Sequence, residues 1–228
     1  MAASTTKRIA SIAAWTIVIA MSAYFISNNV LHYFNYTRSS YTDYFWARRN
    51  WLLMHIAGGL TATVVGPFQF IQKIRRRNVK IHRLLGRIYL VSILIGAPAG
   101  LYMAIYSGGN VAYQTGLGML AIVWFSTVAM AYTSIRKGSI IQHRQWMTRS
   151  YVVTFAFTSF RLTEKVLEYF NIANDEIRST LLAWACWSIP LFITEIFLQA
   201  SKINRINKFN TSKSRIGLRV ENDVSLLE

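Results

Sequence analysis

The chain has little of what soluble catalysis usually relies on. No GxSxG elbow, Walker A loop, HExxH helix or CxxC pair occurs in its 228 residues, so the commonest hydrolase, nucleotide-binding, zinc-protease and dithiol patterns are absent. An enzyme site assembled from single residues on several membrane helices stays open. There is one cysteine, Cys186, inside an apolar run, and no intramolecular disulfide can form. Acidic residues are scarce: nine Asp and Glu stand against 25 Lys and Arg, a net charge of +16. Such an excess on one soluble surface would suit nucleic acid. Here the cations fall in short segments between apolar runs, which points to a membrane and away from nucleic acid.

Apolar sequence is plentiful, at 53% hydrophobic and 14% aromatic. It is gathered into six runs, at 9–30, 51–71, 84–105, 115–135, 146–168 and 181–200. Each approaches the roughly 20 residues that a helix needs to cross about 30 Å of hydrocarbon. The expected fold is an all-α integral membrane protein, a six-transmembrane-helix bundle over residues 1–200. A basic, partly disordered tail follows at 201–228, where Ile203, Ile206 and Phe209 suit an interfacial start. The first run resembles a signal peptide but is longer than the usual apolar region of about 7 to 15 residues, and is read as uncleaved. Segment 31–50, rich in Tyr and Trp, suits the headgroup zone. Segments 1–8, 72–83, 136–144 and 201–228 hold 17 of the 25 Lys and Arg, and the alternate segments 31–50, 106–114 and 163–180 hold 5. The positive-inside rule then puts both termini in the cytoplasm, for a multi-pass protein of the inner membrane whose partner is a bilayer with anionic headgroups.

Two stretches mark the passage from basic to apolar sequence. One is His82-Arg83-Leu84-Leu85-Gly86-Arg87-Ile88-Tyr89, and a looser copy is His143-Arg144-Gln145-Trp146-Met147-Thr148-Arg149-Ser150-Tyr151. Arg83 and Arg144 suit snorkelling to headgroups. Arg87 and Arg149 lie deeper, about 7.5 and 9 Å past the histidines at about 1.5 Å per residue. Glu195 approaches a similar depth from the sixth run and is expected to face inward and pair with Arg87 or Arg149. Arg83, Arg87, Arg144, Arg149, Glu195, Tyr89 and Tyr151 are therefore the candidate binding residues, with His82 and His143 the candidate haem ligands. The two stretches differ by one residue in spacing, a rotation of about 100° on a helix, which disfavours a two-fold site. His55, about 6 Å inside the opposite edge, is a weaker candidate ligand that needs a polar partner among its apolar neighbours. Arg161 is expected to pair with Glu164 on its own helix. His32, beside Tyr33 and Phe34, reads as an interfacial residue.

Together with Gly66-Pro67-Phe68-Gln69-Phe70, these two stretches resemble the domain of unknown function 2306, a family of predicted bacterial membrane proteins. The resemblance covers roughly the second to fifth runs. It implies a multi-helix inner-membrane protein and supplies no activity. From the residues themselves, the leading functional expectation is a b-type haem or quinone-linked redox protein: two imidazoles at one depth for iron, and arginines for the propionates of haem b. The alternatives are a transporter or binder of an anionic solute, a lipid headgroup or protons, using helices broken at Pro67, Pro98 and Pro190, and a structural membrane assembly partner with small-residue faces.

Overall fold

A computed structural model describes the backbone of residues 2–225, and the side chains of 9–204 and 206 other than Ser11. Helix α1 is Ala2–Asn29. Two short 3-10 turns, Leu31–Asn35 and Arg38–Ser40, and the one-turn α2 (Asp43–Trp46) lead to α3 (Arg49–Phe70) and the short basic α4 (Gln72–Arg77). Then come α5 (Val79–Ile105), α6 (Val111–Arg136), α7 (Ile140–Thr154), α8 (Ala156–Tyr169) and α9 (Asp175–Ser225). No strand occurs among the described residues. By length and composition, five of these helices can cross a membrane: Ile12–Asn29, Arg49–Phe70, Val79–Ile105, Val111–Arg136 and Asp175–Asn204.

Local chemistry explains several of the boundaries. Asn110 begins α6 by accepting a hydrogen bond from the Tyr113 backbone N–H at 2.8 Å, and Asn174 does the same for Ile177 at 2.9 Å ahead of α9. Between α6 and α7 the chain reverses through Gly138 at φ +76, a conformation that costs glycine nothing. The expected fifth run, 146–168, is not one helix. It is divided between α7 and α8 at Phe155, and neither half alone has the length of a span. The stretch contains Thr148, Arg149, Ser150, Thr154, Thr158 and Ser159 because it packs inside the bundle: Ser150, Thr154 and Thr158, spaced one turn apart, are all buried. Helix α9 runs on to Ser225, and no proline or glycine interrupts residues 191–216.

Chain contacts divide the molecule into Met1–Pro190 and Leu191–Glu228, and the division falls at a proline within α9. Within the first unit, α5 packs on α3 and on α6, and α6 packs on α7. The α3–α5 approach is close because Gly58 faces Gly96: a Cβ on Gly58 would lie 2.5 Å from the Ser92 carbonyl oxygen and 2.8 Å from the Gly96 Cα. Small residues allow backbones to meet this way in a membrane, where no hydrophobic effect drives helices together. The opposite sides of α5 and α6 present Val91, Leu94, Ile95, Ile122 and Phe125, an apolar exterior suited to lipid.

Candidate functional site

The three sequence stretches singled out above meet at one end of the first unit. Gly66 lies beneath Tyr151, so that a Cβ there would stand 2.2 Å from the tyrosine ring, with the Tyr89 ring at 3.3 Å. Gln69, one turn further along α3, is 6% exposed and lies against Gly86, whose Cβ, if it had one, would be 3.4 Å from the amide oxygen. Tyr89 is 1% exposed and its hydroxyl is shared with Ser150 Oγ (3.0 Å) and Thr154 Oγ1 (2.9 Å). Trp124 donates from Nε1 to the same Thr154 oxygen at 2.8 Å, and Thr154 donates to the Ser150 carbonyl at 2.9 Å. Tyr151 donates to the Thr63 carbonyl at 3.4 Å. Both tyrosines thus spend their hydroxyls inside the bundle, where an unmade hydrogen bond is costly.

His143 Nδ1 is 2.8 Å from the Ala131 carbonyl oxygen, which can only accept, so Nδ1 carries a proton and Nε2 is the nitrogen left for another partner. His82 is half-buried, its Nδ1 enclosed without a hydrogen-bond partner, and His143, Arg75 and Arg83 lie within Coulombic reach of its ring. Arg75, on α4, is held below the ordinary arginine range by burial and then by the neighbouring charges of Arg144 and Arg76. Arg83 and Arg144 are exposed. Arg87 is exposed too, and lines a shallow groove between α3 and α5 with Thr61 and Ser92. The Arg149 guanidinium stacks 4.7 Å from the Trp146 ring centre. Glu195 belongs to the second unit, where it accepts a hydrogen bond from Gln199 Nε2 at 2.6 Å. Between Asp43 and Glu164 the sequence has no acidic residue at all, so the cations of α4, α5 and α7 have no counter-charge on these elements.

A second locus lies around His55, the residue that the sequence ranked below the other two. It lines a cavity of about 220 Å³. His55 Nδ1 is 2.9 Å from the Gly96 carbonyl oxygen, which again fixes the proton on Nδ1 of a neutral ring and leaves Nε2 free. Phe157 and Trp124 stand edge-on to the imidazole, with centroids at 5.7 and 6.1 Å. Gly100 makes room for the ring: a Cβ there would lie 2.6 Å from Nδ1. Ser107 also lines the cavity, and its hydroxyl is buried without a protein partner. At the rim, Arg161 pairs with Glu164 at 2.8 Å, the local pair expected from the i, i+3 spacing. Sequence reading missed Ser107, Phe157 and Gly100 because they come from three segments with no common pattern. Among the described residues no group of three or more His, Cys, Asp or Glu stands together as a metal site.

The family model described as a predicted membrane protein (DUF2306) matches residues 52–198. The chain is also similar to Ava biosynthesis cluster protein G of Aspergillus versicolor, with 26% identity over 106 residues, or 43% of this chain. That match spans 31% of the fungal protein, so this chain covers under a third of its relative's length. No solved structure matches.

Proposed function

Because the chain belongs to the DUF2306 family of predicted membrane proteins, we propose that it is a multi-pass protein that takes a small amphipathic molecule from the bilayer into the His55 cavity. In this reading α7 and α8 together make a sixth crossing, and the excess of cations in alternate segments puts both termini on the cytoplasmic side of an inner membrane. The observation that carries the binding proposal is a pair of polar atoms on an otherwise largely apolar cavity: Ser107 Oγ, buried without a partner, and His55 Nε2, left over by the bond of Nδ1 to Gly96. One accepts a proton donor and the other donates to an oxygen, while Phe157 and Trp124 offer aromatic edges. A quinol head satisfies both, its hydroxyl donating to His55 Nε2 and accepting from Ser107, and its isoprenoid or alkyl tail suits the bilayer. The name of the fungal relative, a biosynthesis cluster protein, supports a small-molecule role.

The test uses purified protein in lipid nanodiscs, titrated with a short-chain quinol kept reduced under anaerobic conditions and followed by tryptophan fluorescence. Saturable quenching is expected, with an affinity about tenfold lower in His55→Leu, the loss of roughly one good hydrogen bond. Equal titrations of the wild type and the variant would remove the proposal. The haem b reading has one observation in its favour, the mutual reach of His82 and His143 with the latter's Nε2 left open. A Soret band after hemin addition, lost in His143→Ala, is what that reading requires.

A further inference from the structure

The end of the first unit opposite in character to the His55 cavity joins three facts. Gln69 is more than nine-tenths buried, yet its amide nitrogen has no hydrogen-bond partner. The Nδ1 of His82 is likewise enclosed and unpartnered, on the helical face of α5 that includes Gly86, the residue against Gln69. Arg75 and Arg144 are near enough to repel one another, and among the described residues no ion pair involves either. A buried amide N–H left without a partner is costly, and like charges held together add to that cost. A bound ligand is one way in which native folds relieve such arrangements. The relieving group must accept hydrogen bonds and carry negative charge.

We propose that the end where α3, α4, α5 and α7 meet is a binding site for a phosphate-class oxyanion, with Gln69 Nε2 and the Arg75 guanidinium as its donors. Arg144 supplies the second charge. His82, with a proton on Nδ1, adds a donor at the edge of the site, and His143 is held beside it by its bond to Ala131. A planar guanidinium fork matches two phosphate oxygens, and an amide N–H fills a third position. The chemistry is shared by the headgroup of an anionic phospholipid and by a free phosphate compound. This site has no residue in common with the His55 cavity, so either proposal can fail while the other stands.

The experiment measures thermal stability and ligand retention of the full chain in two arms: detergent solution with inorganic phosphate against equal chloride, and nanodiscs of phosphatidic acid against phosphatidylcholine. Stabilisation in both arms identifies a site open to free phosphate, and stabilisation by phosphatidic acid alone identifies a headgroup site. In either case Gln69→Leu and Arg75→Gln should each weaken the effect about tenfold. Arg136→Gln, at the C-terminus of α6 and outside the cluster, should leave it unchanged. Circular dichroism confirms that the variants are folded, and Arg75→Gln, at a half-exposed position, keeps the test open if Gln69→Leu is not. The proposal is overturned if neither phosphate nor phosphatidic acid stabilises the wild type, or if Arg136→Gln weakens the effect as much as Gln69→Leu and Arg75→Gln do. A hemin complex held by His82 and His143 would overturn it as well.

Discussion

The two ends of the first unit solve opposite problems. At one, Gly66, Tyr89, Ser150 and Tyr151 are packed so closely that most hydroxyls find protein partners, cations gather around the knot, and Thr154 and Trp124 join it to the wall of the His55 cavity. At the other, His55 is positioned just as firmly but faces about 220 Å³ of open space. Density in the first region makes its residues sensitive to any added atom. Space in the second makes it tolerant of small additions except where they displace the imidazole. The difference teaches that the most patterned stretches of this sequence record how helices interlock, whereas the cavity is formed by residues that share no pattern.

Glycine substitutions give the sharpest break between the two. Gly66→Val should destabilise the protein by about 3 kcal/mol or prevent its assembly, because even the first added carbon falls inside the Tyr151 ring, whose place is fixed by Trp15 and Phe70 at 5.9 and 5.6 Å. Gly59→Ala, whose Cβ would meet only the Trp124 ring at 4.0 Å, should lose less than about 0.5 kcal/mol. Thermal unfolding in detergent compares them directly. Similar melting temperatures would show that the knot is more plastic than its geometry indicates.

The next effect is on the polar network. Thr154→Val keeps the volume but takes away the oxygen that serves both Tyr89 and Trp124. A loss of about 1 to 2 kcal/mol is expected, since two buried donors lose a partner, although Tyr89 keeps Ser150. Measured with Tyr89→Phe in a double-mutant cycle, the two changes should be strongly non-additive. In the cavity, Gly100→Ala pushes the His55 ring from its Gly96 bond. It should reduce quinol affinity about tenfold and lower stability by about 1 kcal/mol, whereas a purely structural role for the ring would lower stability and leave affinity unchanged.

The sequence disclosed the membrane class through run length and the positive excess, and it disclosed the motif stretches as units. It could not show that they converge, because Gly66, Gly86 and Tyr151 are brought together by helices from three parts of the chain. The run at 146–168 reads as a weak span because its polar residues bond inward: Ser150 and Thr154 are bonded to Tyr89, and buried Thr158 lines the His55 cavity. His55 could be ranked only by depth, for the Gly96 carbonyl that fixes its tautomer lies 41 positions away. Ser107 gave no signal, as an isolated serine in a loop is unremarkable until its hydroxyl is found enclosed.

The smallest expected effect concerns the rim of the cavity, where sequence spacing was sufficient. Arg161 and Glu164 form their predicted pair at 2.8 Å, with side chains 44% and 23% exposed. Such a pair is screened by water, and a cycle of Arg161→Gln and Glu164→Gln should yield a coupling below about 0.5 kcal/mol. The guanidinium also rests 5.5 Å from the Phe160 ring centre, so part of the Arg161→Gln loss should persist when Glu164 is already replaced. A coupling of several kcal/mol would mean that the rim is drier than its exposure indicates. It would then belong with the enclosed cavity, and the contrast between the two ends would extend to Arg161 itself.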